Sequence, residues 1–178
     1  MSTLARIERL SRWLRRATLI LTLALPALTV GWLVWGLSRP DWLTASFPGL
    51  PQGTVLTGAK STAVIALGAV GLLPVLFTLA RMHDLFGRYG RGEILSPACA
   101  RAIGHSGTAL VVLALWQVLA LPLQVLVLTA DNPPGGRPLA FALNSEMMWL
   151  ALAGGLLIAI GMVMAEAARI AEDQAGFV

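Results

Sequence analysis

Charge is what this chain has least of. Only 12% of its 178 residues are charged while 57% are hydrophobic, where a soluble domain carries roughly a quarter charged residues. A water-soluble globular fold is therefore excluded, and a bilayer is the solvent that the composition suits. Cysteine is confined to Cys99, which leaves no internal disulfide and no cysteine-rich metal site. Histidine is confined to His83 and His105, and no GxSxG, HExxH, Walker-type or dinucleotide glycine pattern occurs. Nothing here gives enzyme chemistry a foothold, so the expectation is a non-enzymatic protein with no cofactor.

What the chain has in abundance is apolar length. A helix needs about 20 apolar residues to cross a hydrocarbon core roughly 30 Å thick, and four runs meet that need, at residues 17–37, 61–80, 106–128 and 147–165. The expected fold is all-α, one membrane domain over residues 1–178, an integral membrane four-helix bundle with helices projecting into the cytoplasm. Residues 38–60 and 129–144 are rich in turn formers and read as loops on the far side. Trp32 and Trp35 mark a headgroup level. Pro26, Pro74 and Pro122, one in each of the first three runs, mark either kinks or the prolines ordinary in membrane helices. Gln117 and Gln124 lie seven residues apart on one face, as a polar site inside the bundle or as interhelical glue. Gly154, Gly155, Ala159 and Gly161 allow close helix approach, within one chain or in a homo-oligomer.

The basic residues are placed asymmetrically. Of the 13 lysines and arginines, all but Arg39, Lys60 and Arg137 fall in residues 1–16, in the hairpin 81–105 or near the C-terminus. The positive-inside rule then puts both termini and the hairpin in the cytoplasm of a multi-pass protein. The net charge of +4 points to anionic lipid headgroups and not to nucleic acid, because the basic residues flank apolar runs. Residues 1–16 place Leu4, Ile7, Leu10 and Leu14 on one face of a basic amphipathic helix, either a surface anchor or partner-docking helix, or a flank that fixes insertion.

Within the hairpin, Asp84 stands at ion-pair spacing from Arg81 and Arg88. Gly90, Arg91 and Gly92 break the helix, and Ser96-Pro97 starts the next one. Asn144 or Ser145 can cap the last helix, which carries Glu146 in its first turn. His83 and His105 fall at similar depth on antiparallel helices and could meet as a metal or haem pair, although interfacial histidines are ordinary. The functional reading of this end is a docking platform with Arg88, Arg91, Glu93, Glu172 and Asp173 as rim charges and Tyr89, Ile94 and Phe177 as apolar contacts. The plain alternative is charge that keeps helix ends out of lipid.

Residues 85–107, LFGRYGRGEILSPACARAIGHSG, resemble the central signature of a bacterial family of small four-span membrane proteins, the domain-of-unknown-function family 2975. The closing AEAARIAEDQAGFV is similar to that family's acid- and alanine-rich ending, while Leu95 stands where an aromatic is common and the Gly-Phe-Val terminus is less polar than usual. Members of that family are often encoded beside small helix-turn-helix regulators, so the resemblance implies an inner-membrane protein that docks or sequesters such a cytosolic partner. The competing reading, from the residues, is a small carrier or sensor that binds a lipid or apolar ligand between kinked helices. The first expects Arg88, Arg91, Glu93 and the C-terminal tail to matter most, the second Gln117, Gln124 and the external loops.

Overall fold

The computed structural model describes residues 3–39, 46–47, 51, 56–93, 96–133 and 144–175. Nearly all of them lie in five helices: α1 (Thr3–Leu37), α2 (Gly58–Val70), α3 (Leu72–Tyr89), α4 (Pro97–Leu128) and α5 (Ser145–Ala175). α2 and α3 are two parts of one rod, so four rods are long and apolar enough to cross a membrane. The all-α, four-helix expectation holds.

The caps explain where the rods begin. Ser96 is extended and its hydroxyl accepts from the Cys99 amide at 3.2 Å, with Pro97 opening α4. Asn144 rather than Ser145 serves α5, its side-chain oxygen accepting from the Met147 amide at 3.0 Å. Thr57 accepts from the Lys60 amide at the start of α2. Of the three intramembrane prolines, Pro26 and Pro122 sit inside unbroken helices, and Pro74 lies just after the interruption at Gly71. Pro74 has no N–H to give the carbonyl of Val70, so the ladder is weakened at that point, and the Gly71 amide turns to Gly68 O at 3.2 Å.

With 35 residues in α1, 32 in α4 and 31 in α5, the rods are about 46–53 Å long at 1.5 Å per residue. A hydrocarbon core takes roughly 30 Å of that. The surplus lies where the polar residues are, in the first turns of α1, the facing ends of α3 and α4, and the last turns of α5. We refer to this as the hairpin end.

Packing follows chain order. α4 is the central rod, packed most extensively against α5 on one side and against α3 and α2 on the other, while α1 lies against α3 and, less, against α2. The α4–α5 contact runs on glycine. A Cβ built at Gly107 would stand 2.6 Å from the Gly154 carbonyl oxygen, one at Gly154 would stand 2.7 Å from that of Gly107, and one at Gly161 would stand 2.8 Å from the Gly104 nitrogen. Met147, Gly154, Gly161 and Ala168, each seven apart, are the buried seam of α5. Gly155 and Ala159, which the sequence groups with Gly154 and Gly161, face outward.

α1 presents its small and polar residues inward. Ser11 and Thr18 are buried, whereas Leu10, Trp13, Leu19, Ile20 and Leu23 are exposed. The leucine stripe of residues 1–16 is thus, at Leu10, on the outer face. The side chains of Leu4 and Ile7 lie outside the described residues.

Gly107→Ala puts its methyl against backbone that no rotamer change can move, and should lower stability by about 1–3 kcal/mol, whereas Gly155→Ala meets nothing within 4 Å and should be neutral or slightly stabilising. Thermal unfolding of the two variants in the same detergent distinguishes them; equal midpoints would show that the α4–α5 seam is looser than described.

Candidate functional site

The hairpin end is closed by hydrogen bonds that the local sequence supplies. The Glu93 amide donates to Arg88 O at 3.2 Å and the Gly92 amide to Tyr89 O at 3.1 Å, a Schellman ending with Gly92 at the left-handed position, φ 81°. The Glu93 carboxylate then takes one N–H from each neighbouring guanidinium, Arg91 Nε at 3.2 Å and Arg88 Nη1 at 3.3 Å. Chiefly because of the Arg91 hydrogen bond, and then the Arg91 charge and the Arg88 hydrogen bond and charge, its pKa lies below the usual carboxylate range. Arg88 thus pairs forward across the turn and not back to Asp84, which is exposed and has no ion pair among the described residues.

Under this turn lies a packed core. Leu85, Cys99, Ala102 and Ile103 are buried together, with Met82, Tyr89, Leu157 and Met164 against them. The Cys99 thiol donates to Glu93 O at 3.1 Å, tying α4 to the turn. Tyr89 is half-buried on this core, and burial followed by its neighbour Cys99 pushes its phenol pKa up. It supports the turn as much as it offers a contact.

Glu172 and Asp173 are exposed on the last turn of α5. Gly161 packs beside Gly104 and Ala100, so α5, antiparallel to α4, carries these acids about 10 Å past the start of α4 at 1.5 Å per residue. Glu166 pairs with Arg169 at 2.7 Å. Ile94 and Phe177 lie outside the described residues.

The two histidines take different partners. His83 turns to α1, where Arg15 Nε donates to its Nε2 at 3.3 Å and its Nδ1 lies 3.2 Å from Arg15 O and 3.4 Å from the Thr18 hydroxyl. With Nε2 accepting, Nδ1 carries the hydrogen and donates. His105 instead tilts onto the Phe77 ring, centroids 6.5 Å apart. Among the described residues no group of three or more His, Cys, Asp and Glu side chains is placed to hold a metal.

Gln117 and Gln124 do share a face, and it lines a cavity of about 560 Å³ between α1, α2, α3 and α4. The wall is otherwise apolar, with Leu25, Trp32, Phe47 and Trp116 prominent. Gln124 Nε2 donates to Val64 O at 3.2 Å; Gln117 makes no hydrogen bond within the described residues. The Gly71 interruption borders the cavity, with the Trp116 ring 3.1 Å from where a Cβ would be.

Sequence reasoning missed the Arg15–His83 contact and the environment of Arg81, whose guanidinium carbon lies 4.8 Å from the centre of the Phe77 ring. The spacing of Phe77 and Arg81, one helical turn apart at the edge of an apolar run, is the signal that would have found the second. Among known proteins, the model of a family described as a protein of unknown function, DUF2975, matches residues 32–176. No curated protein and no solved structure matches.

Because the Glu93 pKa is lowered in the fold, what it contributes is present above the ordinary carboxylate pKa and is lost as pH falls through the lower folded value. Hydrogen-exchange protection of the amides of Gly92 and Glu93, corrected for intrinsic rate, should stay level from neutral pH to the ordinary carboxylate range and drop a few-fold below it. In Glu93→Gln it should be low throughout. A wild-type profile that is flat to the lowest pH at which the protein stays folded would mean the carboxylate does not hold the turn.

Proposed function

We propose, for a chain that belongs to the DUF2975 family of proteins of unknown function, that it is a non-enzymatic membrane protein whose hairpin end docks or sequesters a cytosolic partner. The observation that carries this reading is the packing of the projecting end. Charge that merely kept helix ends out of lipid would need no core, yet Leu85, Cys99, Ala102 and Ile103 are buried there beneath a turn held by a two-arginine fork. In this reading the membrane is the bacterial inner membrane, with the hairpin and both termini cytoplasmic, since ten of the 13 basic residues lie at that end.

The docking face offers two signs of charge. Arg88 and Arg91 stand on the turn with Glu93 between them, and Glu172 and Asp173 stand on the neighbouring end of α5. The partner that fits is a small protein with both acidic and basic groups, and a helix-turn-helix regulator, whose nucleic-acid face is basic, has charge for the α5 acids. Direct nucleic-acid binding by this chain is not part of the reading.

The cavity beside Gln117 favours a second reading, a sensor or carrier that takes a lipid or apolar ligand between the helices. A concave apolar site with a few polar groups is the usual form of a small-molecule site, and the interrupted α2–α3 rod beside it resembles the broken helices that line membrane binding sites.

Affinity purification of the tagged full-length protein from its native membrane, with mass spectrometry of both proteins and lipids, separates the two. A small DNA-binding protein should be recovered with the wild type and reduced by roughly tenfold or more when Arg88, Arg91 and Glu93 are all alanine, while Gln117→Ala with Gln124→Ala leaves it unchanged. Recovery of a small apolar molecule that disappears only in the glutamine variant would instead establish the second reading.

A further inference from the structure

Two recesses on the outer side of the α3–α4 pair share the side chains of Arg81 and His105. The deeper one in the membrane, about 500 Å³, is walled by Leu73, Pro74, Phe77, Ala109 and Val112. The other, about 220 Å³, is walled by Arg81, Asp84, Arg88, Arg101 and His105. Joined at Arg81, they form one groove with a greasy length and a cationic end.

The charges at that end are unevenly matched. Arg88 is committed to Glu93, and neither Arg81 nor Arg101 has an ion pair among the described residues, with Asp84 the sole acid in the recess. Arg81 Nε is shut off from solvent and has no hydrogen-bond partner. A buried N–H of a permanent cation requires an acceptor, and the nearby Thr108 hydroxyl is turned to its own helix, donating to Gly104 O at 3.1 Å. Phe77 lies over the guanidinium, 4.8 Å from ring centre to guanidinium carbon, and the Arg81 side chain borders both recesses.

The geometry points to an anionic phospholipid of the leaflet at the hairpin end, its phosphate between Arg81, Arg101 and His105 and one acyl chain along Phe77, Ala109 and Val112. Depth agrees with this occupant. Arg81 directly follows the apolar run 61–80, where headgroups lie, and Leu73 is eight residues deeper, about 12 Å along the helix, against roughly 15 Å for half a hydrocarbon core. A free phosphate has the same head chemistry but leaves the apolar recess unfilled. The lipid would stand directly beneath the docking turn, in contact with both helices that form it, yet the inference does not depend on docking.

Native mass spectrometry of the full-length protein, released from detergent with phosphatidylglycerol or phosphatidylcholine, tests it. The wild type should retain phosphatidylglycerol preferentially, and Arg81→Gln with Arg101→Gln should weaken retention by about tenfold or more. Val112→Trp, which fills the apolar recess without touching a charge, should weaken it comparably at an unchanged unfolding midpoint. Arg12→Gln with Arg16→Gln, on the basic face of α1, should leave it intact. Retention unaltered by the Val112 variant, displacement of the lipid by millimolar inorganic phosphate, or an equal loss in the α1 variant would each overturn the assignment.

Discussion

The structure depends on how closely α4 and α5 approach. In hydrocarbon there is no hydrophobic force to press two apolar helices together, because lipid tails are as good a neighbour as leucine. What remains is dispersion at short range, and dispersion falls away steeply with a gap of even 1 Å. Glycine at positions 107, 154 and 161 lets the two backbones touch, with each Gly107 and Gly154 carbonyl lodged where the other residue's Cβ would be. α4 thereby acquires a fixed partner on one side and can present its other side to α2 and α3. α1 is added through α3, so it leans on a surface that the glycine seam has already positioned.

From that constraint comes an uneven interior. One packed cluster lies at the hairpin end, around Leu85 and Cys99, and another at the opposite end, where Val64 and Leu128 are buried together. At the latter, Lys60 donates to the Leu128 carbonyl at 3.2 Å and pairs with Asp131 at 2.9 Å, closing the end of α4. Between the two clusters the helices part around Trp116 and the two glutamines. Rods with firm ends and a hollow middle can hold something between them without losing their relative placement.

Much of the fold was legible because it follows from one-dimensional quantities. Apolar run length gives four spans, Ser96-Pro97 and Asn144 give helix starts, and the Gly90–Gly92 cluster gives the turn. The faces were not legible. For residues 1–16 the amphipathic pattern gave a basic helix but not the side that packs, and the buried residues of α1 are Ser11 and Thr18. Nor were the histidines placed, since equal depth says nothing about azimuth: His83 faces α1 and His105 faces Phe77. Of the prolines, only Pro74 coincides with an interruption, because Gly71 lies three residues before it and has no side chain to stiffen the turn. At the candidate site, Arg88, Arg91 and Glu93 were found as charges, but their mutual pairing was not, since it depends on the backbone reversal at Gly92.

That pairing bears on what the turn can do. A carboxylate shared by two arginines could be taken as charge already spent, but each guanidinium carries five N–H groups and Glu93 takes one from each. The cluster keeps a net positive charge and most of its donors, while the fork restricts rotamers that a free arginine would lose on binding, at about 0.5–1.5 kcal/mol per side chain. Cys99 holds the turn from beneath through Glu93 O, and Gly92 holds the backbone in the one conformation that brings the three side chains together. An exposed ion-pair cluster of this kind adds little stability, so in the proposed docking reading its ordering by a core, a thiol and a left-handed glycine is preorganisation for a partner.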